Sequence, residues 1–194
     1  MAESQKQKIW NVPNALTMLR MLLIPVYWAL MARGNTYAAL AVYVIASLTD
    51  LADGYIARKY HLITDFGKLM DPLADKLMVL SVMLSFVLPL GGREAVLPWA
   101  PFLILLGKEL LMVLGGLILY RLGIVVYSKV IGKVAQLFMV LSLIASFFYR
   151  YFDRIGFPLY LYLLYFAVAL TLCALAFYGV NAVRLYREKK RTHA

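Results

Sequence analysis

Residues 37–90 read YAALAVYVIASLTDLADGYIARKYHLITDFGKLMDPLADKLMVLSVMLSFVLPL. Two apolar runs, 37–57 and 69–90, flank a short link rich in polar and basic residues. Each run has about the 20 residues that a helix needs to cross ~30 Å of hydrocarbon. The same pattern recurs along the chain. Further apolar runs occupy 14–32, 97–120, 130–149 and 157–183, separated by breaks with turn chemistry such as Arg33-Gly34-Asn35 and Gly91-Gly92-Arg93. No alternating ten-residue pattern appears, which argues against a β-barrel. The expectation is an all-α integral membrane protein, one domain over residues 1–194 with six transmembrane helices.

Composition agrees. The chain has 194 residues, 63% of them hydrophobic and only 15% charged, against the ~45–50% apolar and ~25% charged residues of a soluble domain. Disordered, collagen-like and ordinary soluble classes are excluded. Cys173 stands alone, so no disulfide framework is available. The net charge of +10 on so apolar a chain points to basic loops at a membrane, not to nucleic acid. With six spans, fifteen cations lie on the side of the termini and four (Arg33, Arg93, Arg150, Arg154) on the other, with Lys108 in mid-span. By the positive-inside rule both termini are cytoplasmic. Residues 2–13 carry Ile9, Trp10 and Val12 beside Lys6 and Lys8, a pattern that suits an interfacial amphipathic helix. This polar leader, with no small-x-small site, is not that of a cleavable signal. The basic stretch 184–194 suits anionic membrane lipid.

The acids are concentrated. Of ten, five fall at Asp50, Asp53, Asp65, Asp71 and Asp75. Asp50 and Asp53 (i, i+3) share one helix face, as do Asp71 and Asp75 (i, i+4). The two spans are consecutive, so the four carboxylates converge near the cytoplasmic surface. Such a cluster is unstable without compensation. Hard oxygen ligands select Mg²⁺, Mn²⁺ or Ca²⁺, and four carboxylates can hold two ions that clamp a transferring phosphoryl group. Gly54 and Gly67 mark close approach of another group, Ala57 leaves a slot, and Arg58 carries a fork suited to phosphate oxygens.

Asp50-Leu-Ala-Asp53-Gly54-Tyr-Ile-Ala57-Arg58, eight residues, then Gly67-Lys-Leu-Met-Asp71-Pro-Leu-Ala-Asp75 resembles the CDP-alcohol phosphotransferase signature D-x-x-D-G-x-x-A-R-x₈-G-x-x-x-D-x-x-x-D at every fixed position. The resemblance implies a six-helix homodimer in a bacterial cytoplasmic membrane, with its active site facing the cytoplasm. It also implies two Mg²⁺ (or Mn²⁺) held by Asp50, Asp53, Asp71 and Asp75, with Asp75 as catalytic base. Gly54, Ala57, Arg58 and Gly67 would line the CDP pocket. Asn11-Val-Pro-Asn14-Ala-Leu-Thr17-Met-Leu-Arg20 and residues 64–76 look like bacterial phosphatidylglycerophosphate synthases. That likeness implies CDP-diacylglycerol as donor and glycerol 3-phosphate as acceptor. Asn14, Thr17 and Arg20 share a helix face that could reach the nucleotide (Asn14, Thr17) or the acceptor (Arg20). Lys108, Arg121, Lys129 and Lys133 are the further candidates for the acceptor's phosphate. Lys108-Glu109 stands where that subfamily has Arg-Glu, and Gly132-Lys133-Val134-Ala135 where it has Gly-Lys-x-Lys. The alternatives are a cardiolipin synthase of the same family, whose acceptor is phosphatidylglycerol, and a phosphatidylinositol phosphate synthase. A cation-coupled transporter is the reading from another class; it lacks support from an inverted repeat or from acids at the membrane midplane.

Overall fold

The computed structural model describes residues 11–60, 64–122 and 130–192. The side chains of 51–58, 65–66, 68–69, 120, 188 and 190–192 lie outside that description. The described chain is helical: α1 (Val12–Ala32), α2 (Thr36–Lys59), α3 (Asp65–Val87), α4 (Trp99–Arg121), α5 (Val130–Ser146), α6 (Tyr149–Arg154) and α7 (Leu159–Thr192). One isolated antiparallel bridge joins Leu90 and Arg93. The helices fall into two compact units, Met1–Val96 and Leu97–Ala194.

Among the described residues, three helices are long and apolar enough to cross a membrane: Val12–Ala32, Trp99–Leu119 and Leu159–Arg187. Thr36–Asp50 and Val130–Ser146 are shorter apolar helices. The first twelve residues of α3 carry Asp65, Lys68, Asp71, Asp75 and Lys76, and this charge sets α3 apart from a plain apolar span. Large apolar side chains face outward on every long helix, for instance Leu22, Leu48, Leu111, Leu114, Leu137 and Val180. That is the surface a hydrocarbon solvent permits and water does not.

In the first unit α1 packs on both α2 and α3. Its start is specified locally. Asn11 caps it, accepting a hydrogen bond from the Asn14 backbone N–H at 2.9 Å, and Pro13 supplies a first-turn φ that already suits a helix. Of the expected interfacial helix, residues 2–10 lie outside the described residues, and 11–13 form the cap and first turn of α1. Its buried stripe runs Asn14, Thr17, Arg20, Tyr27, Met31, polar at one end and apolar at the other. A polar stripe in a membrane helix must turn toward protein, and this one does.

The far end of the unit is closed by two turns in contact. A Cβ on Gly91 (φ +61°) would sit 2.2 Å from the Met31 carbonyl oxygen and 2.9 Å from the Gly34 nitrogen, so only glycine allows the turns to meet. Between the two ends, the Tyr27 and Ser85 hydroxyls bond at 2.7 Å and join α1 to α3. Arg93 donates to the Ser85 carbonyl and lies over the Phe86 ring at 4.2 Å, fastening the end of α3.

In the second unit α5 packs along α7, and α4 and α6 also contact α7. The Ser142 hydroxyl donates to the Tyr160 carbonyl at 2.8 Å across the α5–α7 seam. Helix α7 has 34 residues, about 51 Å at 1.5 Å per residue, so it runs well past a ~30 Å core. In its basic extension Lys189 donates to the Leu122 carbonyl at 2.5 Å, at the end of α4.

Candidate metal and nucleotide site

The site is built in the first unit, where the C-terminal half of α2 and the N-terminal half of α3 meet the start of α1. Thr64 caps α3: its hydroxyl oxygen accepts from the Gly67 N–H at 3.0 Å. The helix therefore begins four residues before the apolar run does, and Gly67 sits in its first turn.

Three residues of α1, spaced three apart, each engage a different partner. The Asn14 amide nitrogen donates to the Thr64 hydroxyl at 3.0 Å, and that hydroxyl lies 3.1 Å from the Asn14 amide oxygen. Thr17 donates to Asp71 Oδ1 in a short contact. Arg20 Nη1 pairs with Asp50 Oδ1 at 3.0 Å. Asn14, Thr17 and Arg20 are 4%, 1% and 1% exposed. The structure thus turns this face inward onto Thr64, Asp71 and Asp50. It does not leave Arg20 on an open surface toward an acceptor, because the face lies between α1 and its two neighbours. Asp50 itself keeps 32% of its side chain exposed.

Gly67 is a point of close approach. A Cβ there would lie 2.7 Å from Asn14 Oδ1, 3.2 Å from Thr64 Oγ1 and 3.5 Å from Asp71 Oδ2. The close approach at Gly67 agrees with the sequence reading; the Asn14–Thr64 pairing and the identity of the approaching group go beyond it, although an N-cap threonine three residues before a glycine is a visible signal.

Asp50, Asp71 and Asp75 are described. The side chains of Asp53, Ala57 and Arg58 lie outside the described residues, as does any packing at Gly54. Among the described residues no three carboxylate, imidazole or thiol groups form a metal-ligand set. The donor chemistry of this end nevertheless fits hard divalent cations. Its described acids offer carboxylate oxygens, and Asp50 and Asp71 each have one oxygen engaged from α1.

The other sequence candidates lie in the second unit. Lys108 Nζ pairs with the neighbouring Glu109 Oε1 at 2.5 Å, the two side chains being 19% and 13% exposed. Arg121 is exposed in the last turn of α4, and Lys133 is exposed on α5. Lys129 lies outside the described residues.

Residues 10–178 match the CDP-alcohol phosphatidyltransferase family. Similar proteins include three named CDP-diacylglycerol--glycerol-3-phosphate 3-phosphatidyltransferase. The one from Aquifex aeolicus is 33% identical over 135 residues, 70% of this chain and 74% of the relative. The one from Rickettsia typhi is 38% identical over 138 residues, 70% and 73%. The one from Bacillus subtilis is 30% identical over 166 residues, 77% and 83%.

Proposed function

As the chain belongs to the CDP-alcohol phosphatidyltransferase family, we propose that it transfers the phosphatidyl group of CDP-diacylglycerol to glycerol 3-phosphate, releasing CMP. Three observations support this: the unbroken eight-position motif from Asp50 to Asp75, its lodging at one end of the first unit, and the activity named in relatives that align with most of the chain. The motif carries most weight, since carboxylates concentrated in an apolar bundle need compensating charge.

Asp50, Asp53, Asp71 and Asp75 would hold two Mg²⁺ or Mn²⁺. When bound, such ions neutralise charge that develops on the departing CMP phosphate and acidify nearby hydroxyls. The chain's own residues supply the rest. Asp75 takes the proton from the acceptor hydroxyl, the hydroxyl oxygen bonds to the lipid-bearing phosphorus, and the bond from that phosphorus to the CMP oxygen breaks. Gly54 and Ala57 leave room for the nucleotide, Arg58 offers its fork to the diphosphate, and Gly67 keeps the floor of the pocket thin. Asn14, Thr17 and Arg20 act on this pocket through the residues they hold. The cations Lys108, Arg121, Lys129 and Lys133 are assigned to the acceptor's phosphate dianion, which attracts them by charge.

The setting proposed is a bacterial cytoplasmic membrane, crossed six times with both termini and the carboxylates on the cytoplasmic side. The protein acts as a homodimer whose basic α7 extension lies against anionic headgroups. The test is CMP release by purified enzyme given CDP-diacylglycerol with glycerol 3-phosphate, phosphatidylglycerol, inositol phosphate or serine, one acceptor at a time, with the lipid product identified by mass. The expected product is phosphatidylglycerophosphate, and chelation of divalent cations should stop its formation. Consumption of phosphatidylglycerol alone would make the enzyme a cardiolipin synthase; turnover in chelator would end the metal mechanism.

A further inference from the structure

We propose that Thr17 is a positioning residue for Asp71, fixing from α1 the orientation in which this carboxylate meets a divalent cation. The inference rests on the reading of Asp71 as a metal ligand. It changes the role of Thr17 from lining a nucleotide pocket to setting the geometry of the ion site.

Burial is the first argument. Thr17 is 1% exposed, so its hydroxyl cannot be offered to a nucleotide arriving from solvent. Its oxygen lies near two acceptors, the Pro13 carbonyl at 3.1 Å and Asp71 Oδ1. A hydroxyl has one proton to give. The charge-assisted bond to a carboxylate is roughly twice as strong as a neutral one, and the carboxylate is also the closer acceptor, so the proton goes to Asp71.

Rigidity is the second. Threonine in a helix has few χ1 choices, and α1 is itself fixed at this end by the Asn11 cap and the Asn14–Thr64 pairing. The donor is therefore held before any ligand arrives. Asp71 sits one helical turn from Gly67, and its second oxygen Oδ2 lies 3.5 Å from where a Cβ on Gly67 would be. Holding Oδ1 from α1 thus decides where Oδ2 points. Neighbouring carboxylates repel one another, and every rotamer Asp71 gained would be lost again on binding. The partners of metal-binding groups are worth about 10- to 100-fold in metal affinity in other sites.

The test measures Mn²⁺ binding to the purified full chain without substrates, following free Mn²⁺ by electron paramagnetic resonance. Thr17→Val keeps the shape and removes the donor; its Kd for Mn²⁺ should rise about 10- to 100-fold. Thr17→Ser keeps the donor and should recover most of that loss. Tyr27→Phe breaks a different α1–α3 side-chain bond, to Ser85, away from the carboxylates. It should lower thermal stability while leaving Mn²⁺ affinity at the wild-type value. Thr17→Val binding Mn²⁺ as wild type does would overturn the proposal, as would equal weakening by Thr17→Val and Tyr27→Phe. Failure of the underlying reading looks different: wild-type protein would bind no Mn²⁺, or Asp71→Ala would bind it undiminished, and either result removes this proposal with it.

Discussion

Replacing Gly67 by alanine should loosen the joint between α1 and α3, and the size of the effect follows from the contacts. The new Cβ would stand 2.7 Å from Asn14 Oδ1, so the amide would have to withdraw by about 0.7 Å to reach ordinary van der Waals distance. Asn14 is 4% exposed and has no open side to move into. Withdrawal breaks its pairing with Thr64, which stands at 3.0 and 3.1 Å. Leaving buried polar groups unmatched costs about 1–3 kcal/mol, and forcing a methyl into a packed seam costs a similar ~1–3 kcal/mol. Alanine returns about 0.5–1 kcal/mol of helix preference over glycine. The net expectation is a loss of about 1–5 kcal/mol. Equilibrium unfolding in mixed micelles would measure it, alone and in an Asn14→Ala background. Removing the Asn14 amide removes the clash, so Gly67→Ala should cost at least about 1 kcal/mol less there, a coupling typical of side chains in contact. A neutral or stabilising Gly67→Ala, or a coupling near zero, would refute the reasoning.

Two further outcomes are expected. Asp75→Asn should lower kcat for CMP release by about 10²- to 10⁴-fold, the worth of a general base, with little change in KM for CDP-diacylglycerol; near wild-type turnover would remove Asp75 from the base role. For the membrane arrangement, cysteines replacing the exposed Tyr60 and Glu94, in a Cys173→Ala background, should react with an impermeant thiol reagent from opposite sides of the membrane, Tyr60→Cys from the cytoplasm. Labelling of both from one side would rule out the helix count between them.

What could be read from the chain was whatever depends on local spacing. Apolar runs announce helices, and i, i+3 or i, i+4 acids announce a shared face, because both follow from 3.6 residues per turn. The same arithmetic put Asn14, Thr17 and Arg20 on one face. It could not say what that face meets, since a period carries no information about the neighbouring helix, and the partners Thr64, Asp71 and Asp50 lie 30 to 54 positions away. Hydropathy marks apolar runs, whereas hydrogen bonding sets helix ends. Helix α3 starts at Asp65, ahead of the apolar run, because Thr64 caps it. Helix α7 continues to Thr192 because residues 180–192 are charged but contain no proline or glycine to stop them. The short α6 has little sequence signature, because Phe148 leaves its start with no side-chain cap. Gly67 shows the boundary between the two kinds of knowledge. A glycine in a helix signals that something approaches closely. Only the fold reveals that what approaches is the Asn14 amide, and that the gap between α1 and α3 is therefore set by the absence of one methyl group beside the residue that holds Asp71's helix in place.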